Sequence, residues 1–94
     1  MTHSTIDHTR IRSQLLRYIR EEILRDPDCA LDMDTPLITG GIIDSFSITH
    51  ISVFMEKEFS AHIRDADLTI ENMDTINDMA RLAGNALSES EKRS

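Results

Sequence analysis

The chain has 94 residues, with 10 Lys and Arg against 17 Asp and Glu, a formal net charge of −7 and a pI near 4.9. A chain of this length makes one small domain with one modest core, too small to enclose a deep active site. The charge argues against a small DNA-binding helical domain, which would carry a basic patch. An acidic module instead fits partners with basic docking surfaces, where charge speeds encounter. Without Trp, and with one Tyr, the core must come from Leu, Ile, Met and Ala, which suits packed helices. The lone cysteine, Cys29, can form no disulfide within the chain and suits a reducing compartment. No signal peptide and no apolar run of about 18 residues is present, so a cytoplasmic protein with no membrane insertion is expected.

Residues 1–4 are polar. From Thr5 to Arg25 a helical pattern runs through Ile11, Leu15, Tyr18 or Ile19, and Glu22 or Ile23. Asp7 near its start, and Arg20 and Arg25 toward its end, follow the order the helix dipole prefers. Glu21 and Arg25 are spaced to pair, and Pro27 stops the helix. Residues 26–43 then form a long connection holding both prolines and two of the three glycines. A connection of this length must be pinned or functional. Leu31, Leu37, Ile38, Ile42 and Ile43 are placed to pin it. Its Asp26, Asp28, Asp32 and Asp34 resemble a calcium loop only superficially. Counting from Asp26, Leu31 stands where Gly is required and Leu37 where a bidentate Glu is required.

Residues 40–59, Gly-Gly-Ile-Ile-Asp-Ser-Phe-Ser-Ile-Thr-His-Ile-Ser-Val-Phe-Met-Glu-Lys-Glu-Phe, organise the rest. Ile48, Ile51, Met55 and Phe59 recur at spacings of three and four, the buried face of a helix from Ser45 to Phe59. Asp44 and Ser45 sit where loop becomes helix, and either could be the N-cap. A helix N-terminus offers unpaired N–H groups and a positive dipole end, so a phosphate on Ser45 would be stabilised there. Phe46 and Val53 fall together, opposite Met55, where a merely soluble helix would be polar. They suggest a patch kept for partners.

Beyond this helix, Ala61-His62-Ile63-Arg64 is a short connection. Asp67 to Met73 makes a single turn anchored by Leu68 and Met73. Asp74 caps a last helix to Leu87 through Ile76, Met79, Ala80, Leu82 and Ala83. Gly84 within it either permits close packing or marks a fray. Residues 88–94 read as a polar tail. The expected fold is all-α: a four-helix bundle of three longer helices and one short one, with the long loop between the first two.

Gly-Ile-Ile-Asp-Ser-Phe at residues 41–46, the helix ending Phe-Met-Glu-Lys-Glu-Phe, then Ile63 and Asp65-Ala-Asp-Leu-Thr-Ile-Glu-Asn-Met-Asp-Thr-Ile resemble the acyl and peptidyl carrier proteins. The likeness runs from about Ile6 to Leu87. It implies that Ser45 bears 4′-phosphopantetheine, derived from coenzyme A, whose thiol holds an acyl or aminoacyl group as a thioester. It implies that Asp44 helps place the modifying enzyme's metal and substrate. The partners implied are a phosphopantetheinyl transferase, a loading ligase or synthase and a downstream transferase. Phe46, Thr49, His50 and Val53 would be the docking surface of a monomer. Phe46 stands where the family usually has Leu, His50 where fatty-acid carriers often have Glu, and Arg64 where Pro often follows the Ile. These departures lean toward an aminoacyl or polyketide-type pathway.

The residues show no catalytic constellation. His3, His8, His50 and His62 have no metal-ligand spacing with Cys29 or one another. Ser45 lacks a nucleophile elbow, and His50 lies about 140° round the helix from it at 100° per residue. No P-loop or dinucleotide motif occurs. The chain reads as a carrier and not an enzyme; the alternative is an unmodified helical interaction module.

Overall fold

The computed structural model describes residues 8–93, with side chains to Ser88. The expected helix start at Thr5–Asp7 lies outside them. Helix α1 spans His8–Tyr18 and runs on as a π-helical turn, Ile19–Ile23; α2 spans Ser47–Phe59, α3 Ile70–Met73 and α4 Ile76–Arg93. A 3₁₀ turn at Asp65–Asp67 precedes α3. No strand occurs among the described residues.

The helical spacing places one apolar stripe from each helix in a shared core. Ile11, Leu15 and Ile19 come from α1 and its extension, and Ile48, Ile51 and Met55 from α2. Met73, Ile76, Met79, Ala80 and Ala83 complete it from α3 and α4. Burying each of the Ile, Leu and Met side chains contributes roughly 1.5–3 kcal/mol. Tyr18 stacks on Phe54 with ring centroids 4.2 Å apart, and Phe54 meets Phe59 edge-on at 5.8 Å. These rings join α1 to α2 at the surface of the core.

The first helix ends differently from expectation. Arg25 takes a left-handed φ of 54°, and Asp26 N–H donates to the Arg20 carbonyl at 2.7 Å. The chain therefore turns two residues before Pro27. The turn removes Arg25 from the helical register, so the expected Glu21–Arg25 pair is absent; Glu21 takes Arg17 instead, at 3.4 Å. Arg20, expected only to complement the dipole, reaches forward and donates to the Cys29 carbonyl at 2.7 Å.

Residues 24–46 contain no helix. Leu37 and Ile43 are buried, with Leu31, Ile38 and Ile42 packed against the core. Polar bonds to the start of α4 add to this. Leu37 N–H donates to the Asp74 carbonyl at 2.7 Å, and Asn77 N–H to the Met33 carbonyl at 3.0 Å. Asn77 Nδ2 also donates to Asp34 at 2.6 Å. The cap assignment moves as a result. Thr75 Oγ1 accepts from Asp78 N–H at 3.0 Å and caps α4. The carboxylate of Asp74 points into the loop.

One further expectation changes, and one open reading is decided. Helix α4 passes Leu87 and continues to Arg93. Ser88–Arg93 contains no Gly or Pro, and its Glu, Lys and Arg are good helix formers. Gly84 is buried against the His8 ring, where an added Cβ would collide with Nε2. Its reading as a close-packing position holds.

Candidate functional site

The glycines before α2 set its approach. A side chain at Gly40 would strike the Pro36 carbonyl, and Gly41 has φ +77°. The turn they permit lets Ile42 and Ile43 N–H both donate to the Leu37 carbonyl at 2.9 Å. Ile43 is thereby sunk into the core, and the next three residues, Asp44, Ser45 and Phe46, stand outside it, all exposed.

Of the two candidate caps, Asp44 is the one used. Its Oδ1 accepts from Ser47 N–H at 3.2 Å and lies 3.4 Å from Ser47 Oγ. Its carbonyl also accepts from Ser47 N–H at 3.1 Å, and the Ser45 carbonyl accepts from Ile48 N–H at 3.2 Å. Regular α-helix begins at Ser47, two residues later than the spacing suggested, and Ser45 and Phe46 form the turn that the Asp44 bonds close ahead of it. With Asp44 making that bond, the Ser45 hydroxyl is released from that duty, and Ser45 is exposed in the turn that leads into α2. That is where an added phosphate would meet the helix's positive end.

The remaining predicted residues lie on the outer side of α2. Phe46 is 80% exposed and Val53 44% exposed. Thr49 and His50 are exposed as well. Among the described residues no loop covers Phe46.

Sequence reasoning missed the opposite wall of the site. A shallow cleft of about 300 Å³ runs beside Asp44 and Phe46, walled by Tyr18, Glu22 and Ile23 from the end of the first helix and by His50 from α2. Tyr18 Oη donates to the His50 carbonyl at 3.4 Å across it. Burial pushes the Tyr18 phenol above its usual range, and the charge of Glu22 acts in the same direction. The only sequence signal for this wall was that Tyr18 and Ile19 competed for one stripe position. Ile70, 42% exposed on α3, is a further outward apolar residue that its local pattern did not single out.

No three His, Cys, Asp or Glu side chains are grouped to hold a metal among the described residues. None of the described helices is long and apolar enough to cross a membrane. No protein-family model matches this chain, and comparison with characterised proteins gives no match either.

Proposed function

We propose that this chain is a stand-alone carrier domain in which Ser45 bears 4′-phosphopantetheine. The observation that carries the reading is the division of labour between neighbours. Asp44 caps α2 through Ser47, and Ser45 stands exposed beside it. The all-helical architecture and the long pinned connection also suit the four-helix carrier bundle that the sequence resembles.

The residues fit the group. An exposed hydroxyl in the turn that leads into α2 can become a phosphodiester without displacing core side chains, and the N-terminal N–H groups of α2 favour its charge. When attached, the arm supplies a thiol that holds an acyl or aminoacyl group as a thioester. The protein's own part is to present Ser45 and to be recognised. Asp44, already fixed by its cap, holds a carboxylate next to the hydroxyl for the phosphopantetheinyl transferase and its metal. Phe46, Thr49, His50 and Val53 form the surface that a loading ligase or synthase and a downstream transferase read. Tethering raises the effective concentration of the intermediate without release to bulk. Chemistry belongs to the partner enzymes, and the carrier acts in the cytoplasm as a monomer.

The test is coexpression with a broad-specificity phosphopantetheinyl transferase, followed by intact mass. The wild type should gain one phosphopantetheine and Ser45→Ala should not. A folded but unmodified wild type would sink this reading and favour an interaction module that uses Phe46 and Val53 directly.

A further inference from the structure

The cleft beside Asp44 and Phe46 has carboxylates on both walls. Glu22 and Asp44 line it, and among the described residues no Lys or Arg does. Glu22 enters none of the ion pairs among the described residues. A π turn puts it there. Leu24 N–H donates five residues back, to the Ile19 carbonyl at 2.8 Å, so this turn holds an extra residue. Glu22, three places past the buried Ile19, is rotated off the core stripe and stands exposed. The same wall is the C-terminal end of the first helix, where the backbone dipole is negative. Tyr18 and Phe46 add aromatic rings, whose faces attract cations. Burial raises the Tyr18 phenol and the charge of Glu22 raises it further, so the field of Glu22 reaches the cleft wall.

A volume of about 300 Å³ is at the small end for ligand clefts. It admits a compact head group and gives no shelter to a long alkyl chain. Place selects the occupant as well as charge. Asp44 and Phe46, the two neighbours of Ser45, both line the cleft. A group on an arm attached at Ser45 is therefore held near it at an effective concentration of about millimolar, the order for a short flexible tether. Weak recognition is then enough to hold it. We infer that the group carried on Ser45 is an aminoacyl group, and that its protonated amine docks between Glu22 and Asp44, beside Tyr18 and Phe46. This rests on the carrier reading and chooses among the cargoes that reading leaves open. The same carboxylates repel an acyl group that ends in a carboxylate, and a neutral acyl group gains nothing from them. Charge is matched at both helix ends, with the phosphodiester at the N-terminus of α2 and the ammonium at the C-terminal end of the first helix.

The experiment compares two arms that differ in one group. Two coenzyme A analogues carry an amide in place of the thioester, one alanyl and one isobutyryl, so that an ammonium is set against a methyl. A broad-specificity phosphopantetheinyl transferase attaches each to Ser45 of isotope-labelled protein, and intact mass verifies loading. Backbone amide NMR spectra of the two loaded forms are compared with that of the form bearing the bare arm. The alanyl arm should shift the amides of Tyr18, Glu22 and Ile23, far along the chain from Ser45, and the isobutyryl arm should shift them much less. Added NaCl should shrink the difference, because exposed charges are screened. Glu22→Gln, loaded in the same way, should lose most of the difference and keep its circular dichroism, since Glu22 is exposed. Equal shifts from the two arms, or a difference that survives Glu22→Gln, would overturn the inference. So would no shift from either arm, which would leave these carboxylates to a basic side chain of a partner. In each of these outcomes the arm is on Ser45 and the carrier reading stands. A folded protein that accepts neither analogue nor coenzyme A itself would remove both.

Discussion

The carboxylate of Asp74, at the junction of α3 and α4, takes both donors of Thr39, the backbone N–H at 3.0 Å and the hydroxyl at 2.7 Å. It also accepts from Ile38 N–H at 2.8 Å. One side chain thus fastens the connection that leads to the candidate site. The Thr39 N–H and hydroxyl hold its pKa below the usual carboxylate range, with Ile38 N–H adding to the effect against partial burial. A depressed native pKa means that its contribution is present above the unfolded-state pKa. The contribution is lost as pH falls through the native value. Asp74→Asn should therefore be less stable than wild type at neutral pH, and the gap should close as the solution is acidified below the ordinary carboxylate range. Urea unfolding across that range measures it. A gap that does not narrow in acid would show that the charge is not what holds Thr39.

Gly40 should be intolerant for a steric reason. A methyl there meets the Pro36 carbonyl, which is backbone and cannot swing aside. Gly40→Ala should cost about 1–3 kcal/mol, as overpacked positions do. Gly41→Ala has open space around it, yet φ is +77°. It should cost about 1 kcal/mol from conformation alone. Denaturant unfolding of the two variants separates collision from torsion. Because both sit upstream of Ser45, the first should also slow modification while the second should do so less.

These positions show what could be read from residues alone. The core stripe of α2 was legible because Ile48, Ile51 and Met55 keep helical spacing with no competing choice, and Phe46 and Val53 stood out as apolar groups on the opposite side. The cap of α4 was not. Asp74 and Thr75 are adjacent, and both are good N-caps. Only the arrival of residues 38 and 39 from far along the chain decides that Asp74 serves the loop and Thr75 the helix. The end of the first helix was misplaced for a similar reason. Pro27 is a visible stop, whereas the π turn at Ile19–Ile23 and the left-handed Arg25 leave no periodic mark. At the site, Ser45 and Asp44 were legible as a pair, but which one caps was not. The wall formed by Tyr18, Glu22 and Ile23 depends on packing between helices that no local pattern encodes.

Phe46 and Val53 should separate docking from folding. Both side chains project outward, so Phe46→Ala and Val53→Asp should change stability by no more than about 0.5 kcal/mol, the usual range for exposed sites. Each should nonetheless slow transfer to or from a partner enzyme. Thermal melts paired with single-turnover loading assays test the two halves together. A large loss in melting temperature would place these side chains in the core after all.

Asp44 offers the sharpest separation, because two roles meet in one carboxylate. As a cap it needs only an acceptor for Ser47 N–H, at 3.2 Å. As an aid to modification it needs charge. Asn is as good a cap as Asp, while Ala loses about 1 kcal/mol. Asp44→Asn should therefore keep wild-type stability and lose modification rate at Ser45. Asp44→Ala should lose both. Unfolding by urea and intact-mass time courses with a phosphopantetheinyl transferase read the two properties independently. If Asp44→Asn is modified as fast as wild type, the carboxylate is a helix cap alone, and the transferase reads Ser45 without help from its neighbour's charge.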